Sequence, residues 1–299
     1  MKDKEKLVIG VSSRALFALE KENVIFTEEG LEAYSDYQRE HEDEILKPGT
    51  AFPLIKALLG LNKYSEKRLV EVIIMSKNSA DTSLRIFNSL ESYNLDITRA
   101  ALSGGESLAP YLAAFKTDLF LSANEADVQE AINNNYAAGV IYTEQLAIDP
   151  LEEIKQIRIA FDGDAVLFSD EAEQIYQSQG IEAFAKHEQE AAKQPLPEGP
   201  FAKFLKTIAE IQSNYPENLS PIRTALVTAR NAPAHERVIR TLRAWNVRID
   251  EAFFLGGKVK KDILIAFGAH IFFDDQKVHL DKTAQVIPSV RVPIKKASK

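Results

Sequence analysis

The residues best suited to chemistry lie in the second half of the chain, each soon after an apolar run typical of a buried strand. Asp162 and Asp164 follow residues 159–161, and Thr228 follows residues 224–227. The remaining members of the set are Lys260, beyond the Gly256-Gly257 turn, and the pair Asp274 and Asp275, after residues 271–273. Ligands collect at the carboxyl ends of the strands in an open parallel sheet, so we expect these side chains to share one site.

These residue types together suit phosphoryl transfer. A carboxylate can attack phosphorus and form an aspartyl-phosphate, which splits one difficult displacement into two easier ones. Asp162 lies nearest the strand end and is the candidate nucleophile, while Asp164, two residues on, could protonate the leaving oxygen and then activate water. The Thr228 hydroxyl could hydrogen-bond a phosphate oxygen, and Lys260 could neutralise the transferred group. These four are the candidate catalytic residues.

A cation is expected at the same place, because several carboxylates and a phosphate would otherwise repel one another. Magnesium prefers oxygen ligands and tolerates bound water. Asp274 is the natural ligand beside Asp162, with Asp275 close by. An isolated pair of aspartates is usually only solvated, but the combination at strand ends favours catalysis over a phosphate-binding or degraded site.

Several neighbours have two interpretations each. Ala229 and Arg230 follow Thr228 directly and are candidate substrate contacts, although Arg230 could equally serve packing. Phe168 could stack on a base, but a core role is favoured, and Asp170 is better explained as a helix cap than as a substrate contact. Lys258 and Lys261 are the alternatives to Lys260. The histidines His235, His270 and His279 do not have the spacing of metal ligands.

Alternating apolar strands and amphipathic helices predict an α/β fold with doubly wound, Rossmann-like parallel sheets. The predicted buried strands are residues 8–11, 70–75, 119–121, 159–161, 224–227 and 271–273. Helical apolar spacing marks residues 81–93 and 233–245, each between two strands, as in βαβ units.

An internal repeat indicates that this unit occurs twice in tandem. Six blocks recur in the same order, among them LVIGVSSRALF with IRIAFDGDAVLF, and VIIMSKN with ALVTARN. The alignment sets His41 against His187. It predicts two units, residues 1–148 and 149–299, with a boundary near 143–154. Helical insertions at 28–63 and about 170–215 could form caps over the sheet edges.

The first unit lacks the chemistry of the second. The residues that stand in place of the catalytic set are Val11 and Ser13, Met75 or Ser76, Leu108, and Ser122 with Ala123. We expect this unit to support the second as a pseudo-symmetric partner. It could also contribute substrate contacts, for which the weak candidates are Ser12, Ser13, Arg14 and Lys77.

Composition restricts the partners and the compartment. The net charge is -8 and the pI is near 5.3, which argues against nucleic acid or an anionic membrane as a main partner. The chain has no cysteine, so disulfides and thiolate catalysis are excluded. It shows neither a signal peptide nor a long apolar stretch, and a cytoplasmic location is expected.

The order strand-DxD, strand-Thr, Lys, strand-DD resembles the four motifs of the haloacid dehalogenase phosphatase superfamily. The strings PGTAFPLIKAL, AFDGDAVLFSDE, PIRTALVTAR and HIFFDDQ are similar to those of the cytosolic type I 5'-nucleotidases. The resemblance implies the roles given above, with Mg²⁺ also bound by the backbone carbonyl of Asp164. It further implies hydrolysis of AMP-like nucleoside 5'-monophosphates and a homo-oligomer. The alternatives are a phosphatase for another small phosphate ester and a nucleotide-binding regulatory protein without turnover.

Overall fold

A computed structural model describes residues 6–143, 151 and 153–296. In this part of the chain, ten strands form one sheet with helices between them, so the predicted α/β class is confirmed. The strands are β1 (Leu7–Val11), β2 (Val70–Ser76), β3 (Arg99–Leu102), β4 (Leu119–Ser122), β5 (Ala138–Ile141), β6 (Ile157–Phe161), β7 (Ile222–Thr228), β8 (Glu251–Phe254), β9 (Ile271–Asp274) and β10 (Ser289–Arg291).

The strand order is the same in both halves when each is read from its outer edge inward. The full order is β3-β2-β1-β4-β5-β10-β9-β6-β7-β8. Pairing is parallel throughout except where β5 meets β10, which run antiparallel with Val290 opposite Ile141. The strands of the two predicted units therefore form one sheet, because this single antiparallel pair joins them.

The antiparallel pair also reverses one half relative to the other. The carboxyl ends of β1 and β2 lie at one edge of the sheet, and those of β6, β7 and β9 lie at the opposite edge. A five-residue strand spans roughly 16 Å. The two sets of strand ends therefore face away from each other.

Helices cover both faces, which explains why the central strands are apolar on both sides. All five residues of β1 and all seven of β2 are buried. The helices are α1 (Ser13–Leu16), α2 (Glu20–Glu28), α3 (Gly30–Glu40), α4 (Phe52–Gly60), α5 (Leu84–Ser92), α6 (Ala109–Ala114), α7 (Glu125–Asn133), α8 (Glu171–Glu190), α9 (Ala202–Gln212), α10 (His235–Ala244), α11 (Lys261–Phe267) and α12 (Lys277–Thr283). One buried apolar cluster contains residues of both halves, including Leu121 and Phe273.

The six predicted strands and both predicted helices are present, with ends shifted by one to three residues. The strands β3, β5, β8 and β10 were not predicted: β3 and β8 are the outermost strands and are mostly not buried, and β10 has only three residues. The predicted boundary near 143–154 falls mainly on residues 144–150 and 152, which lie outside the described part of the chain.

Positions of the two halves can be matched by identical backbone hydrogen bonds. Ser12 N–H donates to the carbonyl of Leu121 on β4, as Asp162 N–H donates to that of Phe273 on β9. Ser12, not Val11, therefore stands where Asp162 does. The sequence alignment slipped because the turn after β6 is a five-residue π-type turn, whereas the turn after β1 has four residues.

The alignment of the two histidines is also wrong. The turns that end α3 and α8 have the same pattern when 150 is added to the residue number, which sets His41 against Ala191 and Gln38 against Glu188. In the bridges Phe17–Pro48 and Phe168–Glu198, Pro48 and Glu198 match in the same way, whereas Phe168 is displaced by the one extra residue of the turn after β6. The recurring histidine is thus a coincidence of composition and carries no argument about function.

Candidate active site

The carboxyl end of β6 places Asp162 at the centre of the polar cluster. The residue directly follows the strand, and its N–H donates to the carbonyl of Phe273 at 2.8 Å, which ties the ends of β6 and β9 together. Its side chain is almost entirely buried. A carboxylate fixed in this way can be approached only from the edge of the sheet.

Lys260 joins Asp162 to Asp274. Its ammonium lies 2.8 Å from Asp162 Oδ1 and 2.7 Å from Asp274 Oδ2. Lys260 is 1% exposed and occupies the N-cap position of α11, while Asp274 ends β9 and is fully buried. The structure thereby favours Lys260 over Lys258, which is exposed, and over Lys261, which is partly exposed.

A cation fits beside this pair. Asp162, Asp274 and Asp275 each offer a ligand atom within 4.8 Å of the others. Asp275 Oδ1 is buried without a hydrogen-bond partner, so one acceptor is ready for a ligand. Three carboxylates form the hard oxygen set that Mg²⁺ prefers. They are three of the four predicted metal ligands; the fourth, Asp164, is not part of this group of carboxylates. A divalent cation is expected of this site.

Burial shifts the proton affinities of the cluster. It raises the pKa of Asp162 to about 7, with the Asp274 charge adding and Lys260 opposing. Burial and the charges of Asp162 and Asp274 raise the pKa of Asp275 to about 8. Burial alone would also raise the pKa of Asp274, but Lys260 and His279 outweigh it and lower that pKa. Near neutral pH the free protein therefore holds a proton on Asp275, and Asp162 titrates in the same range.

Thr228 lies across the turn that follows Asp162. It ends β7, and its hydroxyl accepts the N–H of Arg230 at 3.2 Å. A Cβ at Gly163 would come within 3.3 Å of Thr228 Oγ1, so only glycine leaves ordinary space between the two. Ala165 has a φ of +60°, which turns the chain sharply after Asp164.

Arg230 holds Asp164 instead of facing an open cavity. Its Nε lies 2.8 Å from Asp164 Oδ2 and its Nη2 lies 2.6 Å from Oδ1. The remaining Nη1 donates to Glu188 of α8, which also pairs with Arg237 of α10 at 2.8 Å. The predicted phosphate contact is thus occupied by a bidentate ion pair.

Three further candidates are placed away from the cluster or in other roles. The Phe168 ring is fully buried, 5.5 Å from that of Trp245, so the favoured core interpretation describes it. Ala229 is exposed, and its carbonyl accepts the N–H of Gly257. Asp170 occupies the N-cap position of α8, as the capping interpretation expected, but its carboxylate accepts the side chain of Gln174 and makes no side-chain cap.

Sequence reasoning missed His279 and Glu188. His279 Nδ1 lies 3.1 Å from Asp274 Oδ2, so the imidazole touches the cluster without the spacing of a metal ligand. Glu188 is 42 residues before Arg230 and was hidden in an acidic helix. Neither spacing matches a motif, and only the fold reveals them.

The weak candidates of the first half lie elsewhere. Ser12, Ser13, Arg14 and Lys77 follow β1 and β2, whose ends point to the edge opposite Asp162. Ser13 and Ser76 hydrogen-bond each other there at 3.2 Å. The expectation that they contact a substrate bound at Asp162 is wrong within one chain, because the two halves are joined in antiparallel fashion.

Other residues of the first half do reach the catalytic edge. A cavity of about 640 Å³ lies beside the turn after Asp164 and is bordered by Ala165 and Ser169. Ile132 and Asn135, at and just beyond the end of α7, form part of its wall. The hydroxyl of Ser169 is buried without a hydrogen-bond partner. The volume of the cavity falls within the roughly 300–1,000 Å³ of small-molecule sites.

Comparison with known proteins agrees with this geometry. A family model described as 5'-nucleotidase matches residues 1–299. Human cytosolic 5'-nucleotidase 1B is 40% identical over 291 residues, which cover 94% of this chain and 47% of the human protein, so the chain spans about half of that relative. No solved structure matches. No helix of the described residues has the length and apolarity needed to span a bilayer. The chain belongs to the 5'-nucleotidase family.

Proposed function

We propose that the chain hydrolyses nucleoside 5'-monophosphates, of the AMP-like ribo- or deoxyribonucleotide class, to nucleoside and phosphate. The observation that carries the proposal is Lys260, buried between Asp162 and Asp274 with Asp275 beside them. The candidate nucleophile, the Lys260 ammonium and the candidate metal ligands thus lie together at the carboxyl ends of the strands. The family indicates the class of reaction.

Asp162 and Asp164 divide the chemistry between them. An oxygen of Asp162 attacks phosphorus, the bond from phosphorus to the 5' oxygen breaks, and Asp164, which has to take up a proton before this step, gives that proton to the 5' oxygen. Water then attacks the aspartyl-phosphate, Asp164 takes a proton from the water, and the bond from phosphorus to Asp162 breaks. Lys260 and Thr228 bind the phosphoryl oxygens throughout.

Magnesium is proposed as the cofactor, held by Asp162, Asp274 and Asp275 and by the backbone carbonyl of Asp164. When bound, it would offset the charge that builds on the phosphoryl oxygens. His279 keeps Asp274 oriented through its hydrogen bond. The buried position of these carboxylates keeps bulk water from competing for the phosphoryl group.

The nucleoside is proposed to lie in the cavity beside Ala165. The cavity wall combines acceptors such as Asp170, the unpartnered Ser169 hydroxyl and the apolar side chain of Ile132. A base and a sugar need this mixture of apolar surface and hydrogen-bonding groups. The first half would then contribute to specificity through α7, even though its own strand ends face away.

The equal strand order supports the further proposal that the halves arose by duplication, with residues 1–148 lacking catalysis and residues 149–299 carrying it. Helices α8 and α9, between β6 and β7, would be the cap insertion. Because the human relative is named cytosolic, we extend a cytoplasmic location to this chain. Assembly into a homo-oligomer, without nucleic acid as a partner, is proposed from the resemblance.

Phosphate release from a panel of nucleotides and simple phosphate esters, with and without Mg²⁺, tests the proposal. We expect release from nucleoside 5'-monophosphates that requires the cation and is abolished in Asp162→Asn, which keeps the side-chain shape. Preference for a non-nucleotide ester would transfer the function to another phosphatase. Nucleotide binding without any release would point to a regulatory protein.

A further inference from the structure

We propose that Glu188 of α8 is a positioning residue for the acid/base Asp164, acting through Arg230. The inference rests on the proposed function, since it assigns Asp164 its role there. The proposal makes the position of the Asp164 carboxyl depend on how α8 packs against the sheet.

The geometry is a chain of alternating charges that runs from the site into the protein. Asp164, Arg230, Glu188 and Arg237 follow one another through ion pairs. Asp164 is the outermost member, with its side chain 17% exposed, whereas Glu188 is fully buried and both arginines are at most 4% exposed. Arg230 and Glu188 thus each have an opposite charge on both sides, and buried Arg237 pairs with Glu188, as a low-dielectric interior requires.

Arg230 is fixed from several directions. Two nitrogens grip both oxygens of Asp164, and the third faces Glu188. The ring of Phe184, also on α8, lies 5.4 Å from the guanidinium carbon. A bidentate arginine sets the plane of a carboxylate as well as its distance. Removing the Glu188 charge would free the buried end of Arg230 and loosen the orientation of Asp164.

The first half supplies an internal comparison. Asn78 N–H donates to the hydroxyl of Ser76 at 3.2 Å, the bond that Arg230 N–H makes to Thr228, so Asn78 matches Arg230. Gln38 matches Glu188 and is equally buried. The half without a nucleophile has therefore lost both charges of the pair.

Arg237, the arginine at the inner end of the chain of charges, has a counterpart in the first half. Arg85 Nε donates to the carbonyl of Glu44 as Arg237 Nε donates to that of Gln194. Arg85 also forms a buried pair with Glu22 at 2.8 Å. Packing alone thus explains Arg237 and its counterpart, whereas the Arg230–Glu188 pair goes with the acid/base.

Dependence on the leaving group tests the proposal, because p-nitrophenolate departs without a proton whereas a 5' alkoxide needs one. The Mg²⁺-loaded full chain is assayed with AMP and p-nitrophenyl phosphate, and kcat/KM is compared for wild type, Asp164→Asn, Glu188→Gln and Arg230→Lys. We expect kcat/KM of Glu188→Gln to fall about 10- to 100-fold with AMP and under about 3-fold with p-nitrophenyl phosphate. Asp164→Asn should show the same preference with a larger loss. Arg230→Lys, which keeps the charge but not the fork, should behave likewise.

Glu22→Gln is the matched control, since it breaks a buried ion pair at the opposite edge. It should lower the melting temperature and leave the ratio of the two kcat/KM values unchanged. Equal losses on both substrates, or none, in folded Glu188→Gln and Arg230→Lys would overturn the proposal. Should Glu188→Gln fail to fold, Arg230→Lys decides alone. If wild type hydrolyses neither ester, or Asp164→Asn shows no leaving-group effect, the proposed function itself fails first.

Discussion

The ammonium of Lys260 lies 2.8 Å from a carboxylate oxygen of Asp162, and both side chains are almost fully buried. Burial and the Asp274 charge push Asp162 towards its neutral form, whereas Lys260 favours the carboxylate that must attack phosphorus. The charges of Asp162 and Asp274 outweigh the cost of burying Lys260 and raise its pKa. The lysine therefore keeps its charge where the transferred phosphoryl group needs it.

Replacing Lys260 should disable catalysis, while its sequence neighbour should be dispensable. Lys260→Met removes the cation beside Asp162, and kcat should fall by about 100- to 1,000-fold, the usual effect of losing one electrostatic contact to a transition state. Lys261→Met, on the next residue, is the control and should stay within about 3-fold of wild type. Steady-state phosphate release measures both, and equal effects of the two changes would refute the assignment.

Stabilisation by Mg²⁺ should grow with pH. The pKa values of Asp162 and Asp275 are about 7 and 8 in the folded protein, against about 4 in an unfolded chain, so the metal-free protein loses stability as pH rises through that window. A cation relieves this penalty and must displace the protons at lower pH. Melting temperatures with and without Mg²⁺ should differ little at pH 6 and most at pH 8.5. A shift of the same size at both pH values would contradict the proposed ligands.

Ser169→Ala should weaken substrate binding without weakening the fold. The Ser169 hydroxyl is buried without a partner, so its removal costs no internal hydrogen bond. If the nucleoside occupies the adjoining cavity, KM for AMP should rise about 5- to 10-fold, near 1 kcal/mol, with the melting temperature unchanged or higher. KM for p-nitrophenyl phosphate is the internal control and should not move. A rise shared by both substrates would place the nucleoside elsewhere.

The joint between the halves should be sensitive to one added methyl group. A Cβ at Gly139 on β5 would lie 2.1 Å from Cγ1 of Val290 on β10, and valine cannot easily turn away. Gly139→Ala should cost about 1–3 kcal/mol of unfolding free energy in urea titrations. Gly60→Ala, where nothing lies within 4 Å, is the control.

Changing Val290 as well identifies the cause of the loss of stability in Gly139→Ala. In the double variant Gly139→Ala/Val290→Ala the clash is removed. Its loss of unfolding free energy should therefore be smaller than the sum of the losses in the two single variants. Strict additivity would mean that β5 and β10 do not meet at these residues. A single cooperative transition in every variant is also expected, because one apolar cluster runs through both halves.

Much of the site could be predicted because it depends on residues next to strand ends. Asp162 and Asp274 each adjoin a long or strongly apolar strand, and the geometry of a parallel sheet brings such ends together. Lys260 follows a glycine turn, and its choice over Lys258 and Lys261 rested on the spacing of the motifs that the chain resembles. The joint of the halves could not be found in this way, since β10 has three residues and no periodic pattern reveals its direction.

The contacts of Arg230 show a second limit. Its sequence neighbourhood is compatible with phosphate binding, and the partner that decides its role, Glu188, lies on a helix whose acidic residues are mostly solvated. The wrong alignment of Val11 with Asp162 has a similar origin, because the single extra residue in the turn after Asp162 is invisible without backbone hydrogen bonds.

Chemical trapping of the intermediate tests the central proposal most directly. The Mg²⁺-loaded protein is mixed with excess AMP, quenched, and reduced with borohydride, which converts an aspartyl-phosphate to homoserine, and the peptides are then sequenced by mass spectrometry. Homoserine should appear at residue 162, and only when nucleotide and cation are both present. Full turnover with an unmodified Asp162, or with homoserine at residue 164 instead, would contradict this mechanism.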